Sequence, residues 1–394
     1  MITRLQGGAG GNTLLSAVGM DPGRYEVWIA GGQGGELWDR ARAAGVRTVE
    51  IREFRHVLTP KDILVLWRLV SLVRRERFTI VHTHSAKGGF LGRLAAWLCR
   101  TPVVVHTFHG LSFHDRMPRT RRIVYRCLER VTRRCAHRFV AVAPRVARQV
   151  VEEHLALPGS VLVVPSAVEL ERVPDGFDPV APHALGAPPG ATLIGTVGRI
   201  DAQKAPLDFV RMAATVHAKF PDTAFVMIGD GPLEEGVRRL AAELGVEIML
   251  AGHRPDAAEL VAALDIFVIT SLYEGLGRAL TEALAAARPV VATAVNGVPD
   301  LVEHGATGLL AEPADPEGLA TAVGWLLENP EDAARLGRQG RERVRGSFAP
   351  ETMCASLDAC YRDLLGLPRT WPARTAAPSH HPTAPADPAR AYTA

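Results

Sequence analysis

The sequence predicts an α/β protein of two parallel-sheet domains that face each other across a cleft. Three observations carry that prediction. Short, apolar, β-branched runs alternate with stretches long enough for helices, the pattern of parallel strands covered by helices on both faces. The series stops in a proline-dense stretch and starts again beyond it. The chain has 394 residues, 47% of them hydrophobic, which supports two cores at roughly 100–200 residues per domain.

Taken in order, the first series of expected strands covers 25–30, 79–82, 103–107, 139–142 and 161–164. Val103, Val104 and Val105 run without interruption, as suits a strand buried on both faces. A looser stretch follows, with Pro174, Pro179, Pro182, Pro188 and Pro189. Proline at that density disfavours helix and inner strand alike. The second series covers 192–197, 224–228, 248–250, 266–270, 290–292 and 309–311. Beyond Pro368 the chain turns to Pro, Ala, Thr and His, the composition of a disordered tail. The expected domains are 1–170 and 191–345, joined by a linker at 171–190. A helix within 346–366 follows, then a tail from 367 to 394.

Composition excludes several classes. Five cysteines with no C-x-x-C spacing argue against a disulfide framework and a structural zinc site, and fit a reduced, cytosolic setting. No apolar run is long enough for a spanning helix, and no secretory signal is read at the start. The net charge of +3 hides an asymmetry. Residues 1–180 carry 27 Lys+Arg against 16 Asp+Glu, a balance of +11, and the remainder carries 18 against 26, a balance of −8. Halves that differ in charge suggest domains with different partners.

Ligands bind beyond the carboxyl ends of parallel strands, so the loops there hold the candidate residues. The strongest signal is Ser271-Leu-Tyr-Glu274-Gly275-Leu276-Gly277, which leaves a strand and opens a helix carrying Glu282. Leu280, Ala283, Leu284 and Ala287 define the buried stripe of that helix, and Glu282 points nearly opposite it. The glycines allow close backbone approach, and the helix amino end offers N–H groups to an anion. Two carboxylates flanking an anion site suit a ligand with both hydroxyls and phosphates. A capping acid beside a solvated glutamate is the bland alternative.

Gly198-Arg199 through Lys204 also follows a strand and precedes a helix. Two cations there suit a diphosphate, against the alternative of an exposed basic loop. Gly229-Asp230-Gly231 is a turn signal that permits close approach to a ligand, and the Gly7–Gly11 run, with Gly8 and Gly10, can cradle phosphate or sugar. His82, His84, His106, His109 and His114 follow consecutive strands without metal-ligand spacing, so cleft contacts or satisfied polar groups are the better reading. Among them His109 is the preferred cleft residue.

The segment 116–138 contains nine arginines. Ile123, Cys127, Leu128, Val131 and Cys135 form an apolar helical stripe, with Arg122, Arg126, Arg130, Arg133 and Arg134 on the other side. Such a helix can lie on an anionic membrane surface, with a core-packed helix and a solvated basic face as the equal alternative. No nucleic-acid motif accompanies the charge, so nucleic acid is not an expected partner. There is no Asp-x-Asp pair for a divalent metal, no G-x-S-x-G and no Walker A loop.

The motif series Gly198-Arg199…Lys204, Ile-Gly229-Asp230-Gly-Pro-Leu, Ala-Gly-His-Arg254, Ser-Leu-Tyr-Glu274-Gly-Leu-Gly…Glu282, Val-Asn-Gly297-Val-Pro-Asp300 and Gly305-Ala-Thr-Gly-Leu closely resembles that of the retaining glycosyltransferases of family 4. The likeness is sharpest from Gly195 to Glu312 and reaches over most of the chain. It implies the GT-B fold, two Rossmann-like domains around a central cleft. It implies that Arg199 and Lys204 bind a donor diphosphate and stabilise the leaving group. Glu274 is implied to hold the donor sugar, Glu282 the ribose, and Arg254 to lie near the nucleobase. Backbone around Gly275, Leu276 and Gly277, the Gly229-Asp230 turn, and Gly8 and Gly10 are implied to meet phosphate or sugar.

His109 is implied to touch the transferred sugar near the reacting centre, and His84, Ser85 and Lys87 to lie on the acceptor side. No cofactor or metal is implied, only a nucleoside-diphosphate-sugar co-substrate, with a UDP-sugar favoured. The implied acceptor is a glycan or polyprenyl-linked hydroxyl in surface-polysaccharide or glycolipid synthesis. The expected site of action is the cytoplasm, with peripheral contact to the inner membrane face through Arg122, Arg126 and Arg130. A sugar-nucleotide epimerase of related architecture and a non-catalytic sugar-nucleotide-binding protein are the competing readings. One departure from the family pattern stands out: Met1–Gln6 leads almost directly into Gly7, so the first strand is expected to be mostly missing, with a start upstream or a shortened copy.

Overall fold

The computed structural model describes residues 1–367 except 36, 56, 114–116, 170–171 and 174–184. Much of the expected linker, the expected tail and His114 therefore lie outside the described residues. Among the described residues two parallel sheets form, each flanked by helices. The first runs through β1 (Ile2–Arg4), α1 (Gly7–Val18), β2 (Trp28–Gly32), α2 (Leu37–Ala43), β3 (Arg47–Ile51), α3 (Asp62–Glu76), β4 (Ile80–His84), α4 (Ala86–Leu98), β5 (Val103–Phe108), α5 (Arg119–Thr132), β6 (Arg138–Ala141), α6 (Pro144–Glu152) and β7 (Val161–Val163). Its strand order is β3-β2-β1-β4-β5-β6-β7.

The second comprises β8 (Thr192–Val197), α7 (Pro206–Lys219), β9 (Thr223–Ile228), α8 (Glu234–Leu244), β10 (Ile248–Leu250), α9 (Ala257–Leu260), β11 (Ile266–Ile269), α10 (Arg278–Ala285), β12 (Val290–Thr293), α11 (Val298–Leu301), β13 (Leu309–Ala311), α12 (Pro316–Glu328) and α13 (Pro330–Ser347). Its order is β10-β9-β8-β11-β12-β13. A last helix, α14 (Pro350–Leu364), returns to the first domain. There Met353, Cys354, Leu357 and Tyr361 join a core with Leu15, Met20, Val103 and Val105.

The inner strands are apolar because helices cover both faces. All six residues of β5 and of β9 are buried, as are Phe267 and Val268 of β11. Each buried Val, Ile, Phe or Met side chain among them contributes about 1.5–3 kcal/mol of transfer free energy. β1 is three residues long yet occupies the centre of its sheet, pairing with β2 on one side and β4 on the other. β3 escapes the sequence pattern. Arg47-Thr-Val-Glu-Ile has only Val49 and Ile51 as apolar residues, with Ile51 alone buried, as a short strand at a sheet edge tolerates.

α5 corrects the sequence reading of its own faces. Tyr125, Glu129 and Thr132 are the buried residues, while Ile123, Cys127 and Val131 are exposed. A buried ion pair causes the inversion. Glu129 meets Arg93 of α4, both side chains being wholly inaccessible. Ser112 Oγ donates to Glu129 at 2.9 Å, and Arg93 Nε donates to Gly89 O at 3.0 Å. Removing one partner strands the other charge in the core. Glu129→Ala is expected to cost about 3–5 kcal/mol of unfolding free energy by urea titration. A loss below about 1 kcal/mol would show that α5 is not fixed by this pair.

Candidate active site

Each sheet reverses its strand order once, between β1 and β4 and between β8 and β11. Ligand crevices form at such points. Here the two crevices open onto one cleft of about 2120 Å³, lined by residues of both domains.

On the side of the second domain, the loops after β8 and β11 are stitched together. Leu272 N donates to Gln203 O at 2.8 Å, Gln203 Nε2 to Tyr273 O at 3.0 Å, and Thr270 Oγ1 to Lys204 O at 2.6 Å. This brings Lys204 Nζ onto Glu274 Oε1 in a direct ion pair. Ser271 Oγ donates to the same carboxylate oxygen at 2.8 Å, and the Glu274 amide donates to Asn296 Oδ1 at 2.9 Å. Glu274 is thus buried and held from three directions at the mouth of α10. Asn296 was missed by sequence reasoning, because nothing local marks a residue 22 positions away as its partner.

Arg199 is exposed, with Nη1 2.8 Å from Asp201 and Nη2 donating to Gln203 at 3.1 Å. Gly229 and Asp230 line the same wall. Arg254 lines it too, gripping Asp256 through Nε at 2.8 Å and Nη2 at 2.6 Å. That hydrogen bonding holds the Asp256 carboxyl below its usual range.

Glu282 is not the solvated glutamate of the bland alternative. It lies away from the apolar stripe, as its spacing predicts, yet it is buried and takes Arg278 Nε at 2.8 Å. Burial pushes its carboxyl above the usual range. Arg278 also reaches Glu169 at 3.3 Å, and Glu169 takes Arg40 from α2 and Arg172 at 3.7 Å. Burial works to raise the Glu169 carboxyl, but the three arginines outweigh it and hold it low. This chain of charges ties the first domain, the crossing segment and α10 together. The links that Glu169 makes to Arg40 and Arg278 span 129 and 109 residues, so no spacing reveals them. Gly11 belongs to it sterically, since a Cβ there would stand 1.8 Å from Arg278 Nη1. Gly8 and the first turn of α1 lie against the same arginine, whereas Gly10 packs on Leu5 and Leu37.

The facing wall comes from the first domain. The backbone of His109 touches that of Gly275 so closely that a Cβ on Gly275 would stand 1.7 Å from His109 O. His84 Nδ1 lies 3.1 Å from His109 Nε2, the His82 and His84 rings stack at 4.4 Å, and His82 Nδ1 meets Tyr361 Oη of α14 at 2.5 Å. Burial pulls the His109 imidazole down to about 4 and that of His82 to about 3. Ser85 lines the cleft with its hydroxyl 3.1 Å from Thr3.

Two expectations for this wall are corrected. Lys87 does not face the cleft: it is buried, donates to Arg55 O and Val57 O, and pairs with Asp62 at 2.5 Å. Of the arginines expected to face a membrane, Arg122 and Arg126 line the cleft instead. Arg126 and Arg130 both engage Glu153, at 3.0 and 4.0 Å. Among the described residues, no group of three or more His, Cys, Asp or Glu converges as a metal site, and no helix is long and apolar enough to cross a membrane.

A family model described as glycosyl transferases group 1 matches residues 180–343, and one described as a glycosyl transferase 4-like domain matches 7–167. The chain belongs to this glycosyltransferase family. Its relatives include an Escherichia coli UDP-Gal:alpha-D-GlcNAc-diphosphoundecaprenol alpha-1,3-galactosyltransferase, 32% identical over 73% of this chain and 75% of that protein. A D-inositol 3-phosphate glycosyltransferase of Corynebacterium glutamicum is 30% identical over 75% of each chain. The Staphylococcus aureus capsular polysaccharide glycosyltransferase CapM is 23% identical over 79% and 86%.

Among solved structures, Anabaena HepE in complex with UDP and glucose shares the fold at TM-score 0.78 and 18% identity, over 92% and 98% of the two chains. WaaG, a glycosyltransferase involved in lipopolysaccharide biosynthesis, does so at 0.72 and 15%, over 93% and 98%. The protein is therefore a GT-B glycosyltransferase and an enzyme. The two matched regions of this glycosyltransferase supply the two walls of the cleft, and the His109–Gly275 contact lies where those walls meet.

Proposed function

We propose that this glycosyltransferase draws on a nucleoside-diphosphate-sugar, a UDP-sugar in the first instance. It delivers the sugar with retained anomeric configuration, without a metal ion, to a hydroxyl of a glycan or polyprenyl-linked acceptor in surface-polysaccharide or glycolipid synthesis. The observation that carries the reading is the convergence of Lys204, Glu274 and the amino end of α10 on one point of the cleft. Arg199 stands on the loop beside it.

A diphosphate there meets two cations and the free N–H groups of a helix terminus that carries about half a positive charge. As the sugar–phosphate bond breaks, negative charge grows on the leaving diphosphate. Lys204 and Arg199 stabilise it from fixed positions, the service a divalent cation performs elsewhere. Glu274 accepts hydrogen bonds from hydroxyls of the transferred sugar, and the backbone of 275–277 approaches its phosphates. Glu282 serves the ribose, with Arg278 aligning its carboxylate. His109 faces the sugar as a neutral imidazole. The names of the Escherichia coli relative and of HepE, seen with UDP and glucose, favour a UDP-sugar and a lipid-diphosphate acceptor. The working place is the inner face of the cytoplasmic membrane.

The test is a thermal-shift and hydrolysis screen across UDP-, GDP- and ADP-sugars, with and without EDTA. The expected result is stabilisation and slow hydrolysis with UDP-sugars, unchanged by EDTA. NMR of the product is expected to show the donor's own anomeric configuration. Turnover that EDTA abolishes, or an inverted product, overturns the corresponding part.

A further inference from the structure

His82 and His84 are two residues apart on β4, so their rings stand on one face of the sheet. The register sets His84 beside Thr107 of β5, and His109 comes two residues further on. Period and register together bring three imidazoles into a row. The His82 and His84 rings stack at 4.4 Å, and those of His84 and His109 at 5.3 Å. The far end of the row is anchored. His82 Nδ1 meets Tyr361 Oη at 2.5 Å, and His82 Nε2 meets Thr107 Oγ1 at 2.7 Å. Tyr361 belongs to α14, so the helix that returns to the first domain braces the row.

The near end opens on the cleft. His109 lines it, whereas His84 is 3% exposed and lies behind His109, with Nδ1 3.1 Å from His109 Nε2. The family resemblance implies an acceptor-side place for His84, but its burial leaves it little surface to offer an acceptor. The backbone of His109 is constrained as well. Its carbonyl packs on Gly275, and Gly110 beside it holds φ at +133°, a conformation that favours glycine.

A neutral imidazole has one N–H and one lone pair. Burial keeps both rings of the pair neutral, so one donates to the other. The bond at Nε2 of His109 then sets what its Nδ1 can do. A free neutral imidazole keeps its proton preferentially on the nitrogen remote from the side chain, Nε2. Both rings hold that form when His109 Nε2–H donates to His84 Nδ1. His109 Nδ1 is then a lone pair.

We infer that His84 is a positioning residue: it accepts the Nε2–H of His109 and so presents His109 Nδ1, as a hydrogen-bond acceptor, to a hydroxyl of the transferred sugar. The inference rests on the proposed function, which sets His109 against that sugar. It goes further by naming the nitrogen that meets the hydroxyl and the residue that aims it.

The test compares His84→Leu, which fills the space without an acceptor, with His84→Asn, whose amide oxygen can stand near the place of Nδ1. His84→Leu is expected to lower kcat for transfer about tenfold or more, with the donor KM and the UDP-induced thermal shift unchanged. His84→Asn is expected to recover most of that loss. NMR of the imidazole nitrogens adds a readout that needs no turnover. His109, identified by the signal lost in His109→Gln, is expected as the Nε2–H tautomer in the wild-type enzyme and in His84→Asn, and as a mixture of tautomers in His84→Leu.

An Nδ1–H tautomer of His109 in the wild-type enzyme overturns the inference, as does equal loss of kcat in the two variants. If His84→Leu melts too early to assay, the wild-type tautomer and the activity of His84→Asn decide alone. Wild-type enzyme that transfers sugar from none of the nucleotide-sugars counts against the proposed function, and the tautomer of His109 is still read separately.

Discussion

Glu274→Ala will lower sugar transfer by about 10²–10³-fold in kcat while the protein stays folded. The carboxylate lies where three elements meet. The β8 loop supplies Lys204, the β11 loop supplies Ser271, and Asn296 fixes its backbone amide. Lys204 keeps about a quarter of its side-chain surface in solvent and is not marooned by the substitution, whereas the buried Ser271 hydroxyl loses its acceptor, at about 1–3 kcal/mol. The larger cost falls on chemistry. Without Glu274, the hydroxyls of the sugar lose a preorganised acceptor at the moment positive charge develops on its ring, and Lys204 loses the partner that aims it. Glu274→Gln keeps the shape and part of the hydrogen bonding, and is expected to fall between wild type and alanine. Steady-state kinetics with a thermal melt on each variant separates the outcomes. A kcat near wild type in Glu274→Ala removes this residue from the mechanism, and a collapse of the melting temperature assigns it to structure.

The glutamate and its loop were legible because a strand buried on both faces is an unbroken apolar run, and the residue types just after it stand out. The same logic located β8, β9, β11 and β12. It failed where burial is not apolar. In α5 the inward face carries Glu129, satisfied by Arg93 from another helix, so the apolar stripe does not mark the side that packs on the core. In α10 the spacing gives the angular position of Glu282, turned from the apolar stripe, but not what covers that face. The crossing segment with Glu169 and the first domain with Arg40 and Gly11 cover it. Lys87 failed for a related reason. The family resemblance implies an acceptor-side place for it, yet its charge is used on two carbonyls and Asp62. Long-range polar partners leave no trace in local spacing, and these sites are built from them.

Acid will strip stability from this protein as pH falls below about 6.5. His82, His84, His106 and His109 sit on β4, β5 and the loop after β5, with His84 and His106 buried and His82 and His109 half-buried. Burial depresses all four imidazoles. The stacked neighbours His82 and His109 add to the effect on His84, and Arg93 adds to it on His106. An unfolded chain protonates these rings near pH 6.5. Their contribution is thus fully present above about pH 6.5 and is lost as pH falls, because only the unfolded state takes up the protons. Each ring costs about 1.4 kcal/mol per pH unit below that point. The buried pair, His84 and His106, removes about 3 kcal/mol by pH 5.5, and the half-buried His82 and His109 add to that in the same direction. Total stability of a domain is only about 5–15 kcal/mol. Glu282 and Asp265, whose carboxyls burial holds above their usual range, act in the opposite sense. Their gain begins nearer the carboxylate range and involves fewer groups. Urea titrations at pH 7.5, 6.5 and 5.5 should show a steep fall below 6.5. His106→Asn should lower that slope by the share of one proton. A stability that stays flat from pH 7.5 to 5.5 would mean that the histidine column is open to water.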